Sequence, residues 1–355
     1  MGFDRLGRFA MGKNGEQSEV VSVSLPREGL VVLGYVLLAL VLTWPLAASF
    51  GSHVIGSSGV DVWDHLWTMD GMRQALLVEG GGCPFVRELA YFPQGLFLFP
   101  VNLVNELISV PFQATLGLIR AFNLLSIWQL VFAAWAAYQL ALLVVRDRRC
   151  AFIAGMAFAS APAVMSPLHN GTTAGGNAGW IAFYLWILLR QHGSLKWYPI
   201  VAGAVLGLVT LMCWYYGAFC FMATLLFVGL SLVRGERGER GRMLGFAGLL
   251  LVVATVAVVP LGLLIRSTLE HPDAQNLGGK ATFVSQACEH EFYASTLRGF
   301  FDMGLKRMSD GYAHPSYLGF GLLLLAVVGL VRGWRTEWVS RSLCWWLLAA
   351  VFALL

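Results

Sequence analysis

The sequence predicts an all-α fold: a polytopic transmembrane helical bundle with interfacial and re-entrant helices in the first outer loop. Composition is the first sign. Of 355 residues, 57% are hydrophobic and 12% charged, where a soluble domain carries about 25% charged residues. The second sign is length, because apolar runs near the 20 or so residues that cross a bilayer recur along the chain. The third is charge placement. Apolar runs end in basic clusters: Arg146, Arg148 and Arg149, then Arg190 and Lys196, then Arg234, Arg237, Arg240 and Arg242, then Arg332, Arg335 and Arg341. Lys and Arg at helix ends are retained on the cytoplasmic side. The alternation therefore sets the N-terminus inside and puts two long polar loops, 51–102 and 267–314, on one outer face. The net charge of +4 is small, and the basic residues sit at membrane borders. They read as topology signals and not as a nucleic-acid patch.

Residues 1–28 form a polar cytoplasmic tail, without a signal-peptide pattern, and 29–355 form the transmembrane domain. The first span is expected over 29–50, ending near Trp44-Pro45. Segment 103–119 is apolar but holds Asn105, Glu106, Pro111 and Gln113. Were it to cross, every later basic cluster would fall outside. It is therefore expected to be re-entrant or interfacial, as irregular elements are where they line a protein cavity. Further spans are expected at 121–145, 151–168, 178–190, 197–214, 216–233, 243–265, 315–331 and 342–355. The closing run, CWWLLAAVFALL, stays apolar to its last residue, which reads as the N-terminal part of a longer protein. The lipid bilayer is thus the first partner, and a bacterial inner membrane with a cytoplasmic N-terminus the expected location.

Six cysteines show no metal-ligand spacing. Cys83 and Cys288 fall in the two outer loops, where unpaired thiols are the expected state and a disulfide the alternative. The stretch HNGTTAGGNAGW (169–180) is small and flexible in composition, and its Asn170-Gly-Thr matches a weak glycosylation pattern. Trp214, Tyr215 and Tyr216 suit an aromatic belt at the membrane border.

The densest polar cluster is GSSGVDVWDHLWTMDGMRQALL, residues 56–77. A Gly/Ser loop runs into a helix at Asp61, and residues three and four apart, Asp61, Asp64 and His65, share a face. Trp63 and Trp67 suit the membrane–water interface. A bland alternative exists: acids in a first turn favour the helix dipole by about 0.3–1 kcal/mol each. The second outer loop carries His271, Lys280, His290, Arg298, Lys306 and Arg307, each read singly as a solvated charge, although a loop so long is unusual without a role.

DVWDHLW (61–67), YFPQG (91–95), NLVNELISVPF (102–112), AFNLL (121–125), YYG (215–217) and YLGFGLLLLA (317–326) together resemble a bacterial group of polytopic proteins of the type C glycosyltransferase superfamily, which includes protein mannosyltransferases and lipid A aminoarabinose transferases. The resemblance covers most of 30–330, as an ensemble of weak motifs. It departs from the superfamily where Asp70-Gly71 stand in place of an aromatic pair, and the chain ends before the superfamily's last spans. The resemblance implies an inverting transfer of sugar from a polyprenyl-phosphate donor to an acceptor (protein, lipid or glycan) on the extracytoplasmic face. It places the catalytic carboxylate at Asp61 or Asp64. Positioned proton transfer is worth about 10²–10⁴-fold. Asp61, at a helix start where the dipole favours the anion, is the first choice. Asp64 would orient the acceptor or take a divalent cation, which hard oxygen ligands favour, although no cofactor is required. The departing phosphate calls for cations, and Arg266, Lys280, Arg298 and Arg73 are the candidates, with Arg the better fork. His65 and Glu106 are candidates for lining the acceptor cavity. Two other classes stay open. A catalytically incomplete scaffold is one. A transporter or flippase is the other, disfavoured because the spans hold almost no ionisable residues.

Overall fold

The computed structural model describes residues 25–58, 61–78, 86–87, 96–97, 102–189, 197–234 and 237–270. The expected spans at 315–331 and 342–355, the loop beyond residue 270, and Cys83, Cys288, Lys280 and Arg298 lie outside the described residues. Within them the helices are α1 (Leu25–Leu42), α2 (Val62–Arg73), α3 (Leu103–Leu116), α4 (Leu118–Val145), α5 (Arg148–Ala159), α6 (Pro162–Asn170), α7 (Ala178–Leu189), α8 (Tyr198–Met212), α9 (Trp214–Arg234) and α10 (Arg237–Glu270). A two-residue antiparallel pair, Val86–Arg87 with Leu96–Phe97, is the strand content among these residues. Four stretches are long and apolar enough to cross a membrane: Leu118–Leu143, Arg148–Asn170, Trp214–Val233 and Arg240–Leu263. The apolar stretches Gly175–Leu189 and Tyr198–Met212 are shorter. The protein is an all-α, polytopic membrane bundle.

Its threading follows from contacts at the two ends. At one end Arg148 lies 3.7 Å from Glu28, and Gln139 donates to Glu28 at 3.4 Å. The start of α1, the end of α4 and the start of α5 therefore meet there, together with Arg146, Arg148 and Arg149. At the opposite end Asn123 of α4 donates to the carbonyls of Phe50 (2.9 Å) and His53 (2.7 Å) and accepts from the Ile55 amide (3.1 Å). The loop after α1 is thus sewn to the start of α4. Asn102, at the start of α3, reaches Thr173 beyond α6 at this same end, at 2.5 Å. We call the two the basic end and the loop end.

This geometry accounts for segment 103–119. Both α3 and α4 begin at the loop end, so α3 does not carry the chain across. Gly117, with φ of 82°, breaks the chain between α3 and α4. The helix is also inside out by soluble standards. Asn105, Glu106, Ser109 and Gln113 are buried, while Leu107, Ile108, Phe112 and Leu116 are exposed. An apolar outer face and a polar inner face suit a helix that meets lipid on one side and a polar interior on the other.

Two expected boundaries shift. The first span begins earlier than expected, at Leu25, and its helix ends at Leu42, just before the cis Trp44-Pro45 bond near which it was expected to end; a 3₁₀ turn at Leu46–Ala48 takes up the remainder of 29–50. The span expected at 151–168 is two helices. Pro162 opens α6 at a first-turn position, where its missing N–H is no loss, and it could not continue α5. Asp147 caps α5 by accepting from the Cys150 amide at 2.8 Å.

Two cores result. Tyr35, Val131, Ala134, Tyr138, Ala151 and Leu168 join α1, α4, α5 and α6. Tyr184, Leu188, Leu206, Phe227 and Leu250 join α7 to α10. Small residues let the backbones approach: a side chain at Gly203 of α8 would collide with the Leu250 carbonyl of α10. The outer face of α10, with Leu249, Val252, Val256, Val259 and Leu263, is exposed as a lipid-facing span requires.

Candidate functional site

The loop end gathers the polar residues. Its approach is through Gly56 (φ 134°) and Gly171 (φ 67°), which pack together against Val62 at the start of α2. Both adopt backbone conformations that glycine tolerates best. Asp61 stands at the N-terminal boundary of α2, as the Gly/Ser run before it implies. It is half-buried, and its carboxylate makes no capping bond. Along α2 the burial splits. Val62, His65, Leu66, Met69 and Met72 face inward, while Trp63, Asp64 and Trp67 are exposed. Trp63 donates its indole N–H to the Ser58 carbonyl at 3.0 Å. The expected acidic face is therefore divided: Asp64 lies on the outer side, Asp61 at the margin and His65 within.

Two groups on this helix titrate away from their ordinary values. Asp64 keeps an exposed surface, but the surrounding chain shields its carboxyl in part, and this desolvation, then the charge of Asp61, pushes it up. Burial pushes His65 down to about 4, against the opposing pull of Asp61. His65 is therefore a neutral imidazole at ordinary pH.

The cation candidates fall in different places. Arg73 forks onto Asp70 of its own helix, with Nε at 3.1 Å and Nη2 at 2.8 Å, and Gln74 donates to the other oxygen of that carboxylate. Arg266 is exposed on α10, beside Ile265. Ile265 and Leu261 pack with Met72 and Val110, so Arg266 sits near the C-terminal end of α2, about 16 Å along the helix from Asp61. Glu106 is buried on the inner face of α3. Among the described residues no three His, Cys, Asp or Glu side chains converge as a metal site.

What sequence reasoning missed lies beneath α2. Asn102, Asn105, Gln129, Thr173 and Asn177 are all buried and joined to one another. The amide nitrogen of Asn105 reaches Asn102 Oδ1 at 2.7 Å and Asn177 Oδ1 at 3.0 Å. Gln129 donates to the Thr173 carbonyl at 2.7 Å and to Asn177 Oδ1 at 3.1 Å. Asn177 donates to the Met212 carbonyl at the end of α8, at 3.4 Å. Thr173 Oγ1 meets His65 Nδ1 at 3.1 Å. Tyr216 of α9 donates to the Gly175 carbonyl at 2.7 Å. Farther down α3, Gln113 donates to the Met69 carbonyl of α2 at 2.9 Å. The stretch 171–177 is thus pinned from α2, α3, α4 and α9. Asn170, the residue of the glycosylation pattern, is buried and closed to modification. Polar side chains deep in an apolar chain need partners, and Gln129 in the middle of a span was the signal available.

The sequence matches no family profile and no curated protein. Solved structures do match. The archaeal oligosaccharyltransferase AglB from Archaeoglobus fulgidus, in complex with an inhibitory peptide and a dolichol-phosphate, aligns over 89% of this chain and 38% of its own, with TM-score 0.52 and 16% identity. An Archaeoglobus fulgidus oligosaccharyltransferase in complex with Zn and sulfate aligns over 91% and 46%, with TM-score 0.54 and 17% identity. A third structure, of an oligosaccharyltransferase from that organism tethered to an acceptor peptide containing the NVT sequon, aligns over 92% and 46%, with TM-score 0.53 and 15% identity. The chain shares its fold with archaeal oligosaccharyltransferases. It spans under half the length of those chains, and at these identities the likeness is one of fold.

Proposed function

We propose that this chain belongs to a glycosyltransferase of the type C superfamily, working at the loop end of the bundle on the extracytoplasmic face of a bacterial inner membrane. The reaction moves a sugar from a polyprenyl-phosphate donor to an acceptor hydroxyl or amide. The observation that carries this reading is the fold shared with oligosaccharyltransferases whose structures hold a dolichol-phosphate or an acceptor peptide. An acidic helix start at the loop end supports it. The acceptor atom attacks the anomeric carbon, the bond from that carbon to the phosphate oxygen breaks with inversion, and the polyprenyl phosphate leaves with the electron pair. Asp61 takes the acceptor's proton or orients the acceptor, and Asp64 holds the acceptor beside it. Lys280 and Arg298 are assigned to the phosphate, and Arg266 would serve only where the donor reaches along α2 to its C-terminal end. Arg73 would serve only by leaving Asp70. Asp61 and Asp64 are hard oxygen donors, and a divalent cation held there would polarise the phosphate. His65 and Glu106 line the acceptor side from within.

The test uses the full-length protein in membranes, supplied with a panel of synthetic polyprenyl-phosphate sugars. Asp61→Asn keeps shape and removes charge. It should lower transfer by about 100-fold or more while leaving the protein inserted. A normal rate for that variant with an inactive Asp64→Asn moves the role to Asp64. Normal rates for both singles and for the double variant remove α2 from the mechanism.

A further inference from the structure

We propose that Thr173 and His65 are positioning residues for Asp61: the 171–177 stretch fixes the tautomer and orientation of the His65 ring, and through it the start of the acidic helix. The claim rests on the function proposed above. Its structural half stands apart and can be tested apart.

Hydrogen-bond polarity fixes the direction of each contact. Backbone carbonyls only accept, and two of them anchor the network. Asn177 turns its amide nitrogen to the Met212 carbonyl at 3.4 Å, so its Oδ1 faces the other way and must accept. Gln129 donates there while also donating to the Thr173 carbonyl. Asn105 donates to the same Oδ1 at 3.0 Å and to the Thr173 carbonyl at 3.4 Å, and its amide nitrogen also serves Asn102 Oδ1 at 2.7 Å. Asn102 therefore points its own nitrogen at Thr173 Oγ1, at 2.5 Å. That hydroxyl has one proton to give and one such donation already received. His65 Nδ1 is its remaining partner, at 3.1 Å. Were His65 to donate instead, the hydroxyl proton would have no acceptor among the described residues. A buried donor left so costs about 1–3 kcal/mol. Thr173 donates, His65 Nδ1 accepts, and the ring proton of His65 resides on Nε2.

The polarity set by two carbonyls on separate helices and loops thus ends at a side chain one turn after Asp61. The neutral, buried state of His65 agrees with it. The bond at Nδ1 favours one ring orientation, and rolling α2 would cost that bond. The exposed Asp64 and half-buried Asp61 share the helix that this bond steadies. Misplacement of about 1 Å in a reacting group lowers rates by about 10²-fold, which is how Thr173, which touches no substrate, would act through His65.

Two measurements test this. The first is ¹⁵N NMR of histidine-labelled full-length protein in nanodiscs, with His65 assigned by its loss in His65→Gln. The wild type should show His65 as the Nε2–H tautomer. Asn102→Asp replaces the donor by an acceptor, so Thr173 turns its proton to position 102 and His65 should change to Nδ1–H. An Nδ1–H tautomer in the wild type overturns the polarity chain without recourse to any further variant. The second is kinetics. Thr173→Val should lower kcat about 10–100-fold with the donor KM within about twofold, and Thr173→Ser should restore it. Wild-type kcat in Thr173→Val, beside an inactive Asp61→Asn, overturns the positioning role alone. A wild-type rate in Asp61→Asn overturns the functional reading, and the tautomer measurement still judges the network.

Discussion

At Gly176 the backbone passes so close to Gln129 that an added methyl group would collide with the side-chain amide. Gln129 cannot yield cheaply, because its nitrogen serves the Thr173 carbonyl and Asn177 Oδ1. Gly176→Ala should therefore destabilise the protein by about 1–3 kcal/mol through overpacking and lost hydrogen bonds. Gly171→Ala should do more, since φ of 67° resists a side chain and the new atom would also strike Val62. Gly229→Ala on α9 meets nothing within 4 Å and should stabilise by up to about 1 kcal/mol. Thermal melts of the three variants in one detergent check the order. Asp64 adds a pH signature. Burial and Asp61 raise its folded-state pKa above that of the unfolded chain, so the folded state holds the proton more tightly. Asp64 then favours the fold below its ordinary carboxylate range, and that contribution is lost as pH rises through the folded value. Asp64→Asn should melt higher than wild type at pH 7 and alike near pH 3; a lower melting temperature at pH 7 would reverse the sign argued here.

Among the elements, α3 carries the clearest lesson about what a sequence discloses. Asn105, Glu106, Pro111 and Gln113 in an apolar segment marked 103–119 as exceptional, and the charge alternation beyond it denied it a crossing. The structure supplies the physical form: a 14-residue helix with polar residues inward and Leu107, Ile108 and Phe112 outward. Spans of ordinary length were legible in the same way, because apolar length and basic ends are local signals. The break at Ser160-Ala161 before Pro162 was hidden, since hydropathy runs straight through it. The pinned state of 171–177 was hidden more deeply. Its Gly, Thr and Ala content reads as freedom, while its partners Asn102 and Gln129 stand 71 and 44 residues away from Thr173, and no periodicity pairs residues at such range. At the candidate site the helix start at Asp61 was legible from the Gly/Ser run before it, but the burial of His65 against Thr173 was not. The outward face of α3 makes a prediction of its own. A lysine in lipid at a helix centre costs about 2.5–3.5 kcal/mol, so Ile108→Lys should sharply reduce membrane-integrated yield. Ile108→Leu should not, and an unchanged yield for the lysine variant would mean that this face meets water.

For the whole molecule, the decisive quantity is the number of crossings between Glu28 and each basic cluster. Glu28 and Arg148 meet at the basic end, while Asn123, His53 and Thr173 lie at the loop end. The chain thus passes up through α1, leaves and re-enters the loop end through α2 and α3, and descends through α4. It rises again through α5 and α6 to Thr173, descends through α7 from Asn177, and returns through α8 to Met212, whose carbonyl meets Asn177. It descends through α9 from Tyr216, which is bonded to Gly175, and α10 climbs back until Ile265 packs near Met72. By this count Cys150, Leu189 and Gly238 all fall on the side of Glu28, with α3 contributing no crossing. The Arg-rich ends at 146–149 and 234–242 would, by the retention of basic residues on the inner side, assign the cytoplasm to that side. Reporter fusions after residues 150, 195 and 238 of the full protein should all give the cytoplasmic signal, and a probe at His53 the opposite one. Disagreement among the three fusions would contradict the threading itself. Agreement on the outer side would keep the threading and invert the orientation, which would place Asp61 in the cytoplasm and remove the extracytoplasmic reaction.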